Sequence, residues 1–268
     1  MTMKIKPCAK INLGLNIVNK RADGYHDLET VFYPVPIYDE IEIREAPETT
    51  LEIKGQTIEG DPEKNLVMRA YRMVATRYAL PPVHISLDKQ IPMQAGMGGG
   101  SADCAFTIRL LNEQFRLGMS TDEMQQMAAS LGADCAFFIE AVPAYAEGIG
   151  ERLTPIPLDL NGYRMVVVKP QVAVSTREAF SGIKVKRPAK NCREIVMQPI
   201  DTWQEELVND FEESIFPQHP ELAAIKQRLY ALGARYAAMS GSGSALFAFF
   251  DEAPRLNDEF TDCKKWIV

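Results

Sequence analysis

The residues best suited to chemistry form a glycine-rich segment, Gly96-Met97-Gly98-Gly99-Gly100-Ser101, between a run of alternating apolar residues and a helical pattern. Glycines let backbone N–H groups approach an anion and adopt φ values that other residues avoid. A helix that begins here adds N–H groups without intrahelical partners and the positive end of its dipole. The segment therefore predicts a phosphate-binding turn, with a flexible turn as the structural alternative.

A turn of this kind needs positive charge from elsewhere, because no lysine follows the glycines as it does in a Walker A loop. Nor is it a dinucleotide fingerprint, since Ser101 stands where the third glycine would be. Lys10 is the leading candidate for the charge, and a metal ion is another source. Lys10 begins an otherwise apolar strand pattern between Ala9 and Ile11, where a charged group must be paired or lie at an edge. The alternative is a solvated lysine at the end of a strand.

Asp134 is the leading candidate for an acid or base. It follows Gly132-Ala133 at a predicted helix end and precedes the apolar residues Cys135-Ala136-Phe137-Phe138, which favour desolvation of its carboxylate. An aspartate normally titrates near ~3.9, so at neutral pH it is an ionised base. The alternative is a capping aspartate.

Two further segments have ligand-binding and structural interpretations. Tyr25-His26 follows the Asp23-Gly24 turn and suits a flat ligand such as a nucleobase, or it is a solvated loop pair. Gly241-Ser242-Gly243 lies between two apolar runs, where it brings the backbone close to a ligand or only links two strands.

Composition limits the function classes. The chain has 268 residues and a formal net charge of −7, which argues against general nucleic-acid binding. Its five cysteines are odd in number and form no C-x-x-C pair, so we expect reduced thiols in a cytoplasmic protein. We expect neither a signal peptide nor a membrane-spanning segment, because residues 1–15 have no continuous apolar core and no run is long and apolar enough to cross a bilayer.

The elements that must position these residues follow from periodicity and capping. Alternating or continuous apolar residues predict strands at 11–17, 37–43, 51–53, 83–87, 165–168, 236–239 and 245–250. Helices are predicted from the Asp61-Pro62 cap to Pro81, from Ser101 to Phe115, from the Ser120 cap to Gly132, and from Pro220 to Leu232. This mixture lacks regular βαβ alternation and indicates an α+β fold.

Three segments in order resemble the GHMP kinases, a superfamily named for galactokinase, homoserine kinase, mevalonate kinase and phosphomevalonate kinase. They are Lys10-Ile11-Asn12-Leu13, PMQAGMGGGSADCA at 92–105 and MSGSGS at 239–244. The resemblance implies ATP-dependent phosphorylation of a hydroxyl group and an α+β fold of two domains. The N-terminal, ATP-binding domain (1–155) would resemble domain 2 of ribosomal protein S5, and the C-terminal domain (156–268) would be ferredoxin-like.

A second set of segments resembles one branch of that superfamily, which phosphorylates the 2-hydroxyl of a cytidine-diphospho-methylerythritol in the non-mevalonate route to isoprenoids. The set comprises Arg21-Ala22-Asp23-Gly24-Tyr25-His26-Asp27-Leu28, Gly132-Ala133-Asp134 with Phe137-Phe138, and Val208-Asn209-Asp210-Phe211-Glu212. The resemblance implies ATP, Mg²⁺ and a cytidine diphosphate derivative as ligands, and a monomer or weak homodimer without nucleic-acid or membrane partners. Another small-molecule GHMP kinase, acting on mevalonate, homoserine or a sugar, and a non-catalytic nucleotide sensor stay open as alternatives.

The resemblance also implies residue roles by position. Asp134 would be the base, and Lys10 would orient it and balance charge. The substrate would contact Asn12, Tyr25, His26, Phe32, Phe180 and Gly241. ATP would contact Pro92, Met93, Gln94, Ala95, Gly96, Met97, Gly98, Gly99, Gly100, Ser101, Ala102 and Asn65, and Ser101 would also contact Mg²⁺.

The glycine-rich segment departs from the usual family pattern, P-x-G-A-G-L-G-G-G-S-S-D-A-A, at four positions. Gln94 replaces a glycine, Met97 a leucine, Ala102 the second serine and Cys104 an alanine. Met97 conserves the volume of leucine, so we expect the packing to survive. Ala102 removes a hydroxyl, which leaves no side-chain phosphate contact from that position. A further departure is Cys135-Ala136, where Val-Pro is common.

Overall fold

The computed structural model describes residues 2–56 and 60–268, and the chain divides into two compact units. The first unit comprises Met1–Ala9, Pro36–Met93 and Gly98–Val142, and the second comprises Lys10–Val35, Gln94–Met97 and Pro143–Val268. The chain therefore passes between the units several times. Because the units interleave along the sequence, the predicted boundary between domains at residues 155 and 156 stays a prediction.

Strands and helices of the described residues follow one another without a regular βαβ repeat, as the sequence predicts. The strands are β1 (Thr2–Ile5), β2 (Cys8–Lys20), β3 (His26–Tyr38), β4 (Glu40–Glu45), β5 (Thr50–Gly55), β6 (Val83–Lys89), β7 (Ala144–Gly148), β8 (Arg152–Pro155), β9 (Arg164–Lys169), β10 (Tyr236–Met239), β11 (Leu246–Phe250) and β12 (Lys264–Ile267). The α-helices are α1 (Leu66–Tyr78), α2 (Gly99–Gln114), α3 (Thr121–Leu131), α4 (Phe137–Glu140), α5 (Thr176–Ser181), α6 (Cys192–Val196), α7 (Trp203–Glu206), α8 (Phe211–Ile215) and α9 (Pro220–Ala231).

The first unit contains a sheet in the order β1-β4-β6-β5. The β5–β6 pair is parallel, and the other neighbours are antiparallel. In β6, Val83, Ile85, Leu87 and Lys89 are buried while the residues between them are partly exposed, which is the alternation of a half-buried strand. Helix α2 packs against this sheet and is buried along most of its length.

The second unit contains two sheets, in the orders β2-β3-β7-β8 and β10-β11-β9-β12. A shared apolar core joins residues of β2, β9, β10 and β11 to helices α5, α8 and α9. Burial of this apolar surface is the main source of the unit's stability. The core fixes the strands from which Lys10, Asn12 and Thr30 project.

Three predicted boundaries were wrong, two of them because local capping decides where a helix begins. Asp61 caps a short 3₁₀ turn over Pro62–Lys64, and the Asn65 side chain caps α1 by accepting from the Val67 N–H. Helix α2 begins at Gly99 rather than Ser101, since Gly98 adopts the left-handed conformation of its cap. The predicted strand over 37–43 is divided at Asp39 into the end of β3 and the start of β4.

The structure also bears on the state of the cysteines and on membrane-spanning helices. All five cysteines carry free thiols. Across residues 2–56 and 60–268, no helix has the length and apolar character needed to cross a membrane.

Candidate active site

The first turn of α2 presents a phosphate-binding geometry in the first unit. Its cap, Gly98, has a φ of 69° and no side-chain hydrogen bond covers the helix start. The Ala102 N–H donates to the Gly98 carbonyl at 2.8 Å, so the N–H groups of Gly99, Gly100 and Ser101 precede the first intrahelical bond. Residues without side chains occupy two of those three positions, which lets an anion approach the backbone.

A buried ionic cluster lies beside this turn, and we call Asp39, Lys89 and Asp103 the Lys89 cluster. The Lys89 ammonium hydrogen-bonds Asp39 and lies 2.8 Å from Asp103 Oδ2, although Lys89 is only 2% exposed. A Cβ atom on Gly99 would lie 2.8 Å from the Lys89 Nζ atom. The cluster therefore fixes the start of α2 against the end of β6.

The two carboxylates of the Lys89 cluster differ in their hydrogen bonds. Asp39 Oδ1 accepts from the N–H groups of Gln90 and Ile91, at 2.5 and 2.7 Å. Asp103 Oδ1 is buried and has no hydrogen-bond partner among the described residues. Burial raises the pKa of Asp103 to about 8, an effect that the Lys89 ammonium opposes and the Asp39 carboxylate reinforces.

Asp134 lies in the first unit on a 3₁₀ turn, Ala133–Cys135, directly after α3. Gly132 ends α3 as predicted, and the Asp134 side chain is half-buried. Hydrogen bonds from Cys104 and, less strongly, from Ser101 lower the pKa of the neighbouring Cys135 thiol. Ser101 at the start of α2 therefore reaches the residue that follows Asp134. The predicted base and the predicted phosphate turn lie close together within one unit.

Lys10 occupies the third position of β2 in the second unit and is 3% exposed. The solvated strand-end alternative is therefore wrong. Its ammonium donates to Asn12 Oδ1 at 2.5 Å and lies 4.9 Å from the centroid of the Phe32 ring. Asn12 Nδ2 in turn donates to Thr30 Oγ1 at 3.0 Å. The predicted residues Lys10, Asn12 and Phe32 are thus brought together, along with Thr30, which was not predicted.

The Met239–Ser244 segment packs on the beginning of the glycine-rich segment. Ser240 Oγ donates to the Gly96 carbonyl at 2.8 Å, and a Cβ atom on Gly96 would lie 1.8 Å from the Ser240 carbonyl oxygen. Gly241 has a φ of 53°, and a Cβ there would lie 3.2 Å from Asn12 Oδ1. These two glycines are therefore required by close backbone packing, in addition to any role toward a ligand.

The predicted nucleobase residues form an aromatic face in the second unit. His26 stacks on Phe180 with ring centroids 4.9 Å apart and an interplanar angle of 23°. Phe180 in turn packs edge-on against Phe211. Tyr25 is next to His26 and is 62% exposed, which leaves its ring available to a ligand. The structure thus brings His26 and Phe180 together, although 153 intervening residues separate them in the sequence.

The predicted site residues as a whole divide between the two units. Asn65, Pro92, Met93, Gly98–Ala102 and Asp134 belong to the first unit. Lys10, Asn12, Tyr25, His26, Phe32, Gln94–Met97, Phe180 and Gly241 belong to the second. Asn65 also has a structural task as the cap of α1.

Sequence reasoning missed the supporting residues Asp39, Lys89, Asp103, Thr30 and Ser240. A signal for Lys89 existed, because it continues the inward series of Val83, Ile85 and Leu87 in β6. A lysine on the buried face of a strand requires buried carboxylate partners. Thr30 gives no comparable signal, since buried and partly exposed residues do not alternate around it.

Comparisons with known proteins agree with this fold. The family model described as "GHMP kinases N terminal domain" matches residues 65–141, and "GHMP kinases C terminal" matches residues 190–261. A curated relative from Bacteroides thetaiotaomicron, 4-diphosphocytidyl-2-C-methyl-D-erythritol kinase, is 52% identical over 249 residues, covering 91% of each chain. The relative of the same name from Parabacteroides distasonis is 47% identical over 262 residues, covering 97% of each chain.

Solved structures give the same result. A crystal structure of 4-(cytidine 5'-diphospho)-2C-methyl-D-erythritol kinase matches with a TM-score of 0.83 and 30% identity, covering 99% of this chain and 98% of that one. The homoserine kinase from Cytophaga hutchinsonii matches with a TM-score of 0.69 but only 14% identity, over 100% of this chain and 93% of that one, which supports the fold alone. The chain belongs to the GHMP kinases and, within them, to the family of 4-diphosphocytidyl-2-C-methyl-D-erythritol kinases.

Proposed function

We propose that this kinase transfers the terminal phosphate of ATP to the 2-hydroxyl of 4-diphosphocytidyl-2-C-methyl-D-erythritol, giving the 2-phosphate and ADP in the non-mevalonate route to isoprenoids. The observation that carries the proposal is 52% identity with a relative of that name across 91% of the chain. The homoserine kinase reported above shares only 14% identity with the chain, and the smaller acceptors of other GHMP kinases are not favoured. A non-catalytic sensor is not favoured either, because every close curated relative reported above is named as a kinase.

The first turn of α2 binds the phosphates of ATP in this proposal. Its open N–H groups at Gly99, Gly100 and Ser101 offer hydrogen bonds to phosphate oxygens, and the helix dipole favours negative charge there. These donors are fixed before ATP arrives, because the Lys89 cluster holds the turn in place. Preorganised donors stabilise the charge that develops during phosphoryl transfer without reorganisation. Residues 92–97 and Asn65 supply the rest of the nucleotide contacts by family position.

Asp134 and Lys10 act at the 2-hydroxyl of the substrate, which accepts the phosphate. Asp134 accepts the proton of the attacking 2-hydroxyl, or orients that hydroxyl, as the substrate oxygen bonds to phosphorus. Lys10 orients the carboxylate and balances negative charge. Positioning and charge stabilisation supply most of the catalysis, since phosphoryl transfer asks little covalent chemistry of the protein.

The cytidine end of the substrate is held by the aromatic face of His26, Phe180 and Tyr25. A pyrimidine ring is flat and suits stacking, and the imidazole nitrogens of His26 offer hydrogen bonds to its edge. Asn12, Phe32 and Gly241 complete the substrate contacts. This face supports a nucleobase-bearing substrate over the smaller acceptors of other GHMP kinases.

Mg²⁺ accompanies ATP in the proposal. Magnesium keeps several waters and takes most of its remaining ligands from phosphates, so it requires few protein oxygens. The described residues contain no group of three carboxylate, histidine or cysteine side chains able to hold a metal. Ser101 is the candidate protein contact, because its hydroxyl lies in the phosphate turn. The ion neutralises phosphate charge when bound.

We also keep four broader proposals. The enzyme is cytoplasmic, which fits five free thiols in a reducing compartment. It acts as a monomer or weak homodimer, and it does not bind nucleic acid, consistent with its net charge of −7. Its family domains span residues 1–155 and 156–268.

A coupled ADP-release assay tests the function. The enzyme is supplied with ATP, Mg²⁺ and 4-diphosphocytidyl-2-C-methyl-D-erythritol, in parallel with mevalonate and homoserine as acceptors. We expect turnover with the cytidine substrate alone, and mass spectrometry should show one added phosphate on it. Turnover with mevalonate or homoserine and none with the cytidine substrate would refute the proposal while leaving the fold and the phosphate turn intact.

A further inference from the structure

A chain of three buried hydrogen bonds leads from the Lys10 ammonium into the sheet of the second unit. Lys10 Nζ donates to Asn12 Oδ1 at 2.5 Å, and Asn12 Nδ2 donates to Thr30 Oγ1 at 3.0 Å. Thr30 Oγ1 then donates to the Gly14 carbonyl at 2.5 Å. The lysine, the asparagine and the threonine are all buried, so each of these bonds lies away from water.

The direction of every bond in this chain is set by the last acceptor. The Gly14 carbonyl can only accept, so the single hydroxyl proton of Thr30 is committed to it. The Thr30 oxygen is left to accept, which requires the donor Nδ2 of Asn12 to face it. Asn12 Oδ1 must then face Lys10. A flipped Asn12 amide would set two donors against each other at Lys10 and two acceptors against each other at Thr30.

The anchor at Gly14 is rigid. Gly14 has a φ of 66°, and a Cβ atom there would lie 2.6 Å from Leu207 Cδ1 and 2.8 Å from Cys192 Sγ. Thr30 itself is fixed in β3, where it is the ladder partner of Ala146 in β7. The orientation of the Asn12 amide is therefore determined by two backbone segments of the sheet, and not by the ligand.

We propose that Thr30 is a positioning residue for the kinase reaction: its hydroxyl holds the Asn12 amide so that Asn12 Oδ1 orients the Lys10 ammonium. This inference rests on the proposed function, in which Lys10 acts during phosphoryl transfer. Thr30 acts only through Asn12 and Lys10. Its removal should therefore lower the rate of the chemical step more than the affinity for ATP.

The test replaces the hydroxyl and keeps the shape. Thr30→Val should lower kcat about tenfold, the effect of one lost buried hydrogen bond, with KM for ATP within about twofold of wild type. Thr30→Ser keeps the hydroxyl and should stay within about twofold of wild-type kcat. Thr107→Val is the matched control, because Thr107 is equally buried and its hydroxyl donates only to the Asp103 carbonyl one helical turn away, at 2.7 Å. It should leave kcat unchanged.

A double-mutant cycle separates positioning from a structural role. In an Asn12→Ala background, Thr30→Val should change kcat by less than about twofold, because the link through which Thr30 acts is gone. A second loss of about tenfold in that background would overturn the proposal. So would equal losses of kcat in Thr30→Val and Thr30→Ser.

A readout without activity distinguishes failure of this inference from failure of the proposed function. The side-chain amide resonances of Asn12, observed by ¹⁵N NMR, should shift in Thr30→Val and stay near their wild-type positions in Thr30→Ser. Unchanged resonances in Thr30→Val would refute the positioning role whatever the substrate is. Absence of turnover by the wild-type enzyme with the cytidine substrate would instead refute the proposed function, with the amide result still standing.

Discussion

The two units each bury a lysine, and they hold it in different ways. In the first unit, Lys89 hydrogen-bonds the carboxylates of Asp39 and Asp103, and the Lys89 cluster lies beside the start of α2. In the second unit, Lys10 donates to the amide of Asn12 and lies over the ring of Phe32. Carboxyl groups of the same unit hold the Lys89 ammonium, and the contacts of the Lys10 ammonium include an amide and an aromatic ring.

This difference distinguishes a lysine that stabilises the fold from a lysine that acts in the reaction. Lys89 is only 2% exposed and is held by Asp39 and Asp103, so we infer that the cluster holds the phosphate turn in place without acting on phosphate. Lys10 contacts Asn12 and Phe32, two of the predicted substrate residues, so we infer that Lys10 is the lysine that acts in the reaction. Changes in the Lys89 cluster should therefore alter stability first, and changes around Lys10 and Asp134 should alter turnover first.

The largest effect should come from Asp134→Asn, which keeps the shape of the proposed base and removes its negative charge. We expect kcat to fall about 100- to 10,000-fold, the usual contribution of a general base. ATP affinity, measured by isothermal titration calorimetry, should stay within about threefold because the phosphate turn is intact. Asp122→Asn, which changes an exposed carboxylate at the start of α3, is the control and should keep full activity. Full activity in Asp134→Asn would remove Asp134 from the mechanism.

The next largest effect should appear in stability. Lys89→Met leaves the buried carboxyl groups of Asp39 and Asp103 without their cation, and we expect the free energy of unfolding in urea to fall by about 3–5 kcal/mol. Lys54→Met is the control, since Lys54 is exposed on the same sheet and pairs only at the surface with Glu52. It should change stability by less than about 0.5 kcal/mol. Equal stabilities for the two variants would contradict a structural role for Lys89.

The pH dependence of stability should report the proton on Asp103. Its pKa is raised to about 8 by burial, so the folded protein binds this proton more tightly than the unfolded chain does. That contribution is complete below the ordinary pKa of aspartate and is lost as pH rises through about 8. The free energy of unfolding should therefore decrease by ~1 kcal/mol per pH unit over that window, and the decrease should be smaller in Asp103→Asn. Identical pH profiles for wild type and variant would contradict this assignment.

The smallest effect should be on substrate affinity at the aromatic face. Phe180→Leu removes the stacking partner of His26, and we expect KM for the cytidine substrate to rise about three- to tenfold with kcat and KM for ATP unchanged. Phe216→Leu is the control, because Phe216 packs against the same core as Phe180. It should share any loss of stability and leave KM unchanged. An equal rise of KM in both variants would assign the effect to the core.

Much of the fold could be predicted from the sequence, wherever the pattern of apolar residues within one strand or helix identifies that element. The apolar alternation of β6 and the continuous apolar run of β9 identified those strands, and a proline at the start of α9 with an apolar stripe identified that helix. Strand β3 was not predicted over most of its length, because its pairing with β7 brings together residues more than 100 positions apart. The short helices between 176 and 215 were also missed, since four to six residues give too little periodicity.

The candidate site also contains residues that the sequence indicates and residues that it does not. The glycine turn, Lys10 and Asp134 carry local signals of chemistry, and the sequence indicated all three. Their supports are distant: Thr30 is 18 positions from Asn12, and Asp39 is 50 positions from Lys89. Hydrogen bonds of this kind depend on tertiary structure, so the single sequence indicated the candidate reactive groups and not the residues that contact them.

We infer that Lys10 acts in the reaction while Lys89 supports the fold. It is tested most directly by measuring kcat and the free energy of unfolding on the same preparation of Lys10→Met. We predict a loss of kcat of about 100-fold or more, with stability within about 1 kcal/mol of wild type. Retained kcat, or a loss of kcat that matches the fraction of unfolded protein, would contradict the claim.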